Sequence, residues 1–345
     1  MKADAVLPLI SVIVPAYNEE AVLEQFHARM SALFDSLPAY RCEMVFVNDG
    51  SRDATQAIIE HLCQSDARVA GINLSRNFGK EIAMTAGLDH ARGDAVVIID
   101  ADLQDPPELI REMLREWEGG FDVVYARRTV RDGESWVKKA TASAFYRTMN
   151  RMSGRVHIPR DTGDFRLMSR RAVDALLQLR EQHRFMKGLF AWVGFKTRAI
   201  DYRRDPRAAG ISKFNYWKLW NFALEGITAF TIGPLKIATY LGLTTALLAF
   251  AYGAWIIAKT LIWGNPVHGY PTIMVTILFL GGVQLFFTGV LGEYIGRIFN
   301  ETKQRPLYFT QDLLPSRISE LAANPAPHSE RQLPHDERGS LIDGR

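Results

Sequence analysis

The sequence runs Ala95-Val96-Val97-Ile98-Ile99-Asp100-Ala101-Asp102, so two carboxylates follow directly on a run of five apolar residues. A short apolar run bounded by polar residues predicts a strand that is buried on both faces. Similar runs come earlier, separated by helical patterns, at Leu9–Val14, Glu43–Val47 and Val69–Leu74. Strands that alternate with helices predict an α/β domain with a parallel sheet covered on both faces.

Polar side chains close the first, second and fourth of these predicted strands. Ligands of parallel α/β sheets bind at the carboxyl ends of the strands, so these side chains are expected to share one site. They are Tyr17, Asn18 and Glu19, then Asn48 and Asp49, then Asp100 and Asp102. Asp49 could accept hydrogen bonds from a base or a ribose, although Asn48-Asp49-Gly50-Ser51 is equally typical of a simple turn.

Asp100 and Asp102, with Gln104 two residues further on, offer oxygen ligands to a hard divalent cation. Mg²⁺ or Mn²⁺ fits such ligands and is commonly shared with substrate phosphates. A solvated acidic loop is the alternative for an isolated Asp-x-Asp pair. The buried strand before it and the Pro106-Pro107 pair after it favour a metal site.

Two basic segments lie between this region and the apolar second half. The first segment follows a predicted strand and contains Arg127, Arg128, Lys139 and Ser143. Lys139 and Ser143 are four residues apart and therefore lie on one face of a helix, where a cation and a hydroxyl group suit a phosphate. A solvated helix face is the alternative. Arg207 and Lys213 bracket Gly-Ile-Ser, which is either a juxtamembrane patch against anionic lipid or a loop that closes over a diphosphate.

Composition and missing motifs exclude several classes of protein. The 345 residues carry 41 Lys and Arg against 38 Asp and Glu, and a net charge of +3 is too small to indicate a nucleic-acid-binding protein. Two cysteines exclude a disulfide scaffold and a cysteine-rich zinc site. The sequence lacks G-x-G-x-x-G, Walker, H-E-x-x-H and G-x-S-x-G motifs, which argues against dehydrogenases, NTPases, zinc proteases and α/β-hydrolases.

Two uncharged segments of 22 residues, 237–258 and 271–292, predict a pair of transmembrane helices. Each can cross a hydrocarbon core of about 30 Å, and soluble helices are rarely apolar on all faces over such a length. Buried helices of a large soluble core are the alternative. The loop between the segments holds a single lysine, whereas several basic residues flank the other ends, so both termini are expected in the cytoplasm.

Four segments resemble glycosyltransferase family two, and more narrowly the polyprenyl-phosphate and dolichol-phosphate glycosyltransferases. They are 14–20 (VPAYNEE), 47–51 (VNDGS), 77–80 (NFGK) and 100–106 (DADLQDP). Three more are closer still to bactoprenol glucosyltransferases, namely 163–169 (GDFRLMS), 214–221 (FNYWKLWN) and 291–297 (LGEYIGR). The resemblance covers roughly residues 8 to 308.

The resemblance implies a GT-A nucleotide-sugar fold and a role for each motif. It assigns the nucleotide base and ribose to Pro15, Tyr17, Glu19 and Asp49. It assigns the metal and the diphosphate of the sugar nucleotide to Asp100, Ala101, Asp102 and Gln104, and closure over that diphosphate to Arg207 and Lys213. It assigns binding of the lipid phosphate to Arg127, Arg128, Lys139 and Ser143. Some relatives have an arginine in place of Lys139, and a lysine cannot form the bidentate hydrogen bonds of an arginine. Asp164 matches a proposed catalytic aspartate, and Asp102 shares that catalytic role.

The resemblance also implies a domain plan. A cytoplasmic catalytic domain spans 1–212, an amphipathic juxtamembrane helix 213–234, and transmembrane helices 235–262 and 271–297 flank a periplasmic loop at 263–270. A cytoplasmic tail follows at 298–345 and is expected to be disordered from about residue 315. The protein is then a multi-pass protein of the inner (cytoplasmic) membrane, and a homo-oligomer such as a tetramer is expected.

The expected reaction is inverting transfer of a hexose, with glucose preferred, from a UDP-sugar to undecaprenyl phosphate on the cytoplasmic face. It would supply a lipid-linked sugar for modification of an envelope glycan such as O-antigen, with Mg²⁺ or Mn²⁺ as cofactor and no nucleic-acid partner. The alternatives are another donor sugar (GlcNAc, mannose or amino-arabinose) and a non-catalytic membrane scaffold.

Overall fold

A computed structural model describes residues 7–129, 162–202, 233–263 and 269–318. The strands are β1 Leu9–Ala16, β2 Arg41–Asn48, β3 Val69–Leu74, β4 Ala95–Ile98, β5 Val123–Arg128, β6 Thr162–Ser169, β7 Thr197–Tyr202 and β8 Thr310–Leu314. The helices are α1 Leu23–Asp35, α2 Thr55–Ser65, α3 Lys80–His90, α4 Ile110–Glu118, α5 Arg170–Leu177, α6 Met186–Trp192, α7 Gly233–Trp263 and α8 Tyr270–Thr302. A short 3₁₀ turn, Pro107–Leu109, precedes α4.

The strands form one sheet in the order β7-β5-β6-β4-β1-β2-β3-β8. The predicted α/β domain is confirmed, but its sheet is mixed rather than parallel. Strand β6 runs antiparallel to both β4 and β5, and β8 runs antiparallel to β3. The expectation of a parallel sheet was wrong because neither antiparallel strand carries an apolar run as long as those within β1 to β4.

Alternating side chains of the central strands supply two apolar layers, one on each face of the sheet. On β1, Ile10, Val12 and Val14 join the layer under α1, α2 and α4, whereas Ile13 joins the layer under α3, α5 and α6. This alternation is the two-residue period of a strand whose two faces are both covered. The covered faces leave the strand ends as the accessible part of the central sheet.

Helices α7 and α8 form an apolar hairpin of 31 and 33 residues. At about 1.5 Å per residue, each exceeds a hydrocarbon thickness of roughly 30 Å. Both are long and apolar enough to cross a membrane, over Leu235–Trp263 and Val275–Thr302, close to the predicted spans. An apolar groove of about 550 Å³ lies between them, beside Phe279 and Phe286. An amphipathic helix was predicted at 213–234, and residues 213–232 of it lie outside the described residues.

The chain returns to the α/β domain after α8. Strand β8 adds to the open edge of β3, and the Ser75 N–H donates to the Phe309 carbonyl at 2.9 Å. Ser316 then donates to Glu43 Oε2 at 2.6 Å, and the Arg317 N–H donates to the Ala67 carbonyl at 2.8 Å. Ser316 and Arg317 therefore contact the domain, and the rest of the tail predicted to be disordered lies outside the described residues from 319 onward.

Candidate active site

The loops that follow β1 and β2 are joined by hydrogen bonds at the carboxyl edge of the sheet. The Asn18 N–H donates to Ser51 Oγ at 3.0 Å, and the Glu19 N–H donates to Thr55 Oγ1 at 2.9 Å. Asn18 adopts a φ of 54° and accepts from the Arg52 N–H at 2.8 Å, which turns the chain sharply after the strand. A cleft of about 440 Å³ opens beside Asn18, Glu19 and Arg52.

Pro15 and Tyr17 lie at the same edge as this cleft. Pro15 is half-buried within β1, opposite Val47 of β2, and Tyr17 is exposed just beyond the strand end. The structure therefore brings Pro15, Tyr17 and Glu19 to one edge, as predicted. Their contact with a nucleotide stays a prediction.

Asp49 is buried at the end of β2 and holds the loop that precedes α3. Its two carboxylate oxygens accept from the N–H groups of Phe78 and Gly79 at 2.7 and 2.9 Å. Burial raises the pKa of Asp49, and these two hydrogen bonds oppose that shift. Gly50, with a φ of +64°, packs so closely that a Cβ atom would lie 2.4 Å from the Arg76 carbonyl carbon. The nucleotide contact expected of Asp49 stays a prediction, and its described role is to fix this loop.

Lys80 begins α3 and connects two carboxylates. Its Nζ lies 2.7 Å from Asp100 Oδ1 and 2.6 Å from Asp164 Oδ2. Burial disfavours both charged forms. The charges of Asp100 and Asp164 nevertheless raise the pKa of Lys80, and the charges of Lys80 and Lys187 hold the pKa of Asp164 below its ordinary range. The ammonium group thus joins the loop after β4 to strand β6.

The second oxygen of Asp164, Oδ1, is buried and has no hydrogen-bond partner among the described residues. Below it, the buried Arg166 guanidinium donates to the Gly163 carbonyl at 3.0 Å and lies 3.6 Å from the centre of the Phe190 ring. Burial lowers the pKa of Arg166 to about 10. Because Arg166 is held by the backbone and by Phe190, the Asp164 carboxylate is oriented chiefly by Lys80.

Glu81 lies next to Lys80 on α3 and has a different partner. The Met186 N–H, at the start of α6, donates to Glu81 Oε2 at 2.8 Å. Burial raises the pKa of Glu81 to about 7, and the charge of Asp164 adds to the shift. The first turn of α3 therefore connects the polar strand ends to α6.

The Asp100–Gln104 loop follows β4 in a tight conformation. Leu103 adopts a φ of 58°, and the Gln104 N–H donates to Asp102 Oδ1 at 3.2 Å. Ala101 is buried beneath the two carboxylates. Within the described residues, no group of three or more His, Cys, Asp or Glu side chains is placed to hold a metal ion. Asp100, Asp102 and Gln104 nevertheless fit a hard cation that takes its remaining ligands from phosphates and water.

The two neighbouring arginines at the end of β5 have different surroundings. Arg127 forms a bidentate pair with Asp201 of β7, at 2.6 and 2.9 Å, on an exposed surface. Arg128 donates to Tyr202 Oη at 3.2 Å and lies 3.9 Å from the buried Asp105. Its guanidinium reaches Gly163, beside Asp164, so Arg128 faces the polar cluster more directly than Arg127 does.

The remaining predicted phosphate ligands lie outside the described residues, namely Lys139, Ser143, Arg207 and Lys213. Conversely, no role was predicted for Lys80, Glu81 or Arg166. Lys80 belongs to the NFGK motif and Arg166 to the GDFRLMS motif, so both motifs marked the family, but neither indicated a function for these side chains. Their partners are distant along the chain, and only the fold brings them together.

The chain is similar in sequence to known glycosyltransferases. A family model described as Glycosyl transferase family 2 matches residues 11–177, and one described as GtrB C-terminal hairpin matches residues 233–298. Bactoprenol glucosyl transferase of Shigella phage SfV is 52% identical over 88% of this chain and 98% of that protein. An uncharacterized glycosyltransferase of Synechocystis sp. is 52% identical over 88% of this chain and 95% of that protein.

A solved structure also aligns with the chain. Glucosyl-3-phosphoglycerate synthase from Mycobacterium tuberculosis, in complex with Mn²⁺, UDP and phosphoglyceric acid, gives a TM-score of 0.43 at 21% identity, over 64% of this chain and 76% of that one. The two family models together extend from the polar strand ends to the apolar hairpin. The family matches and the curated relatives confirm the resemblance that the sequence motifs carry.

Proposed function

The chain belongs to glycosyltransferase family 2 and is therefore an enzyme, and we propose that it transfers glucose from UDP-glucose to undecaprenyl phosphate. The observation that carries this proposal is the cluster of Asp100, Lys80 and Asp164 at the carboxyl edge of the sheet, in a chain that also carries an apolar helical hairpin. The first feature suits a sugar nucleotide, and the second suits a lipid acceptor. The high identity to bactoprenol glucosyl transferases supports the choice of glucose and of a polyprenyl phosphate.

The order of the strands supports one arrangement of the donor along the edge of the sheet. Pro15, Tyr17, Glu19 and Asp49, at β1 and β2, would hold the base and the ribose. The loop after β4 would receive the diphosphate, with Arg207 and Lys213 closing over it. A divalent cation, Mg²⁺ or Mn²⁺, would be held by Asp100, Asp102 and Gln104 and would supply charge neutralisation for the departing nucleoside diphosphate.

The acceptor phosphate is already anionic at neutral pH and needs no strong general base. One of its oxygens forms a bond to the anomeric carbon, while the bond from that carbon to the diphosphate oxygen breaks and UDP leaves with the electron pair. This in-line displacement inverts the anomeric centre and requires no proton transfer. Arg128, with Lys139 and Ser143, would hold the incoming phosphate against the charge of the leaving group. Arg127 contributes less in this arrangement because Asp201 already engages it.

The contacts of α8 support a lipid acceptor. Glu301, at the end of α8, accepts from the Gln182 N–H at 2.8 Å, and Asn300 Nδ2 lies 3.0 Å from His183 Nε2. Residues 182 and 183 lead directly into α6, whose first N–H group binds Glu81. The hairpin is thus attached close to the site, where a phosphate at the membrane surface could reach it. In this topology, the catalytic domain and both termini are cytoplasmic.

The test is sugar transfer into the lipid extract by purified protein with undecaprenyl phosphate, Mg²⁺ and a panel of labelled nucleotide sugars. Asp102→Ala is the blank, and Ser65→Ala, on the remote end of α2, is the matched control. Label from UDP-glucose alone, lost in the blank and with chelator, supports the proposal. Label from UDP-GlcNAc, GDP-mannose or an amino-arabinose nucleotide would overturn the donor, and no label from any donor would overturn the reaction.

A further inference from the structure

The strands that carry the site lie side by side in the order β5-β6-β4-β1-β2. Under the proposed function, the nucleoside lies at β1 and β2 and the diphosphate lies at β4. The next position in the same direction is β6, which carries Asp164, and beyond it β5 carries Arg128. A donor laid along this edge therefore places its sugar at Asp164, between its own diphosphate and the acceptor phosphate.

Asp164 and Asp100 are neighbours across the β4–β6 pair. The antiparallel register ends with Ile98 opposite Arg166, and Asp100 and Asp164 each lie two residues beyond this last pair. Like charges directly opposite on adjacent strands repel each other. The Lys80 ammonium lies within 3 Å of both carboxylates and offsets that repulsion.

We propose that Lys80 is a positioning residue that fixes Asp164 so that its buried Oδ1 atom accepts a hydrogen bond from a hydroxyl group of the donor sugar. Oδ2 is held by Lys80 at 2.6 Å, whereas Oδ1 is buried and has no partner among the described residues. A buried acceptor without a donor is unfavourable, so a ligand donor is expected there. An ionised carboxylate repels the phosphates of donor and acceptor, which leaves a neutral hydroxyl as its partner.

Lys80 is itself held firmly enough for this role. The residue before it, Gly79, has a φ of +99° and donates its N–H to Asp49. The residue after it, Glu81, is held by the Met186 N–H. With both neighbours fixed, the lysine side chain extends from a defined point to the two carboxylates. Lys80 acts through Asp164 and has no assigned contact with the reacting atoms.

This inference rests on the proposed function, and its test separates the two. The full-length protein is compared with Lys80→Met, Lys80→Arg, Asp164→Asn and the double variant Lys80→Met/Asp164→Asn. Lys196→Met, an exposed lysine stacked on Phe121, is the matched control. Donors are UDP-glucose and UDP-glucose analogues that each lack one hydroxyl, and thermal unfolding verifies that each variant is folded.

We expect the wild type to discriminate against one deoxy donor by about 10- to 100-fold, because the site leaves Oδ1 unpaired when that hydroxyl is missing. Lys80→Met and Asp164→Asn should each lower kcat for UDP-glucose by about 100-fold and should both lose this discrimination. The double variant should be no worse than either single one, because the two residues act as a unit. Lys80→Arg should restore part of the discrimination, since it keeps the charge but changes the geometry.

Binding provides a readout that does not depend on turnover. The affinity for UDP with Mn²⁺ should stay within about twofold in Asp164→Asn, whereas the extra affinity of UDP-glucose over UDP should fall in Lys80→Met and Asp164→Asn. Because Lys80 also contacts Asp100, its own contact with UDP is tested without a divalent cation, and weaker binding of UDP by Lys80→Met under that condition would place the lysine on the diphosphate and overturn the proposal. Additive losses in the double variant, or unchanged discrimination in Lys80→Met, would also overturn it. Failure of the wild type to use any UDP-sugar would instead refute the proposed function.

Discussion

Gly50→Ala provides a direct test of how the loops after β2 and β3 hold the site. Two contributions to its cost can be separated. The φ of +64° costs an alanine about 1–2 kcal/mol. The added Cβ would also lie 2.4 Å from the Arg76 carbonyl carbon and 2.5 Å from the Asn77 nitrogen, both backbone atoms.

The backbone at 76–79 cannot move away without breaking the hydrogen bonds from Phe78 and Gly79 to Asp49. The overlap therefore adds about 1–3 kcal/mol, as overpacking does in other well-packed sites. The total, about 2–5 kcal/mol, corresponds to a decrease in Tm of roughly 4–20 °C for a domain of this size. Because the same loop leads into Lys80, sugar transfer should fall by about 100-fold.

Gly120→Ala is the matched control. Gly120 has a φ of +84°, but a Cβ there would meet nothing within 4 Å, so only the backbone contribution of about 1–2 kcal/mol remains. Thermal unfolding in detergent gives the two Tm values, and the transfer assay gives the two rates. Equal decreases in Tm, or full activity of folded Gly50→Ala, would refute the claim that close contact between these loops positions the site.

Two further predictions concern Asp49 and Asp66. Asp49→Asn should increase deuterium uptake of the 76–80 peptide and lower the free energy of unfolding by about 1–3 kcal/mol. The reason is that an amide has a single oxygen and cannot replace the two carboxylate oxygens that accept from the Phe78 and Gly79 N–H groups. Unchanged uptake in the absence of UDP would contradict this role. Burial alone would raise the pKa of Asp66, but hydrogen bonds and charge from Arg68 lower it from 3.8 to about 2. The ion pair therefore stabilises the fold above about pH 4, and its contribution of about 2 kcal/mol is lost as the pH falls toward 2. Unfolding measured against pH should show this loss in the wild type but not in Asp66→Asn, and parallel profiles would contradict it.

The part of the fold that was predictable from the sequence is the part whose strands are largely apolar and buried. Strand β3 was predicted with its observed bounds, Val69–Leu74, and β4 ends one residue before the predicted end. Strand β6 was missed because Asp164 and Arg166 interrupt its pattern. Arg166 is nevertheless buried, since backbone carbonyls and the Phe190 ring replace its water. The edge strand β8 was missed because four of its five residues are exposed and its pairing with β3 is the main support for it.

The residues of the site also divide into those that were predictable from the sequence and those that were not. Polar residues directly after apolar strands were predictable, because the sheet brings all such ends to one edge. Lys80 was not, because the carboxylate that defines its role lies 84 residues further along the chain, on an antiparallel strand that the pattern did not reveal. Whether Arg127 or Arg128 faces the site also depends on the irregular pairing of β5 with β6 between Tyr125 and Arg127. No local pattern indicates that irregularity.

Under the proposed function, the first turn of α3 is where the lipid-associated and the sugar-binding parts of this enzyme meet. Lys80 contacts the carboxylates of the strand ends, and the adjacent Glu81 binds the N–H group that begins α6. The segment leading into α6 is in turn held by Glu301 at the end of α8. A catalytic domain joined to its membrane helices through a flexible linker alone would let the acceptor phosphate sample many positions. Under the proposed function, the contacts from α8 to the segment before α6 and from α6 to α3 restrict those positions. Such restriction is the main requirement of a reaction that brings two anions together without a strong base.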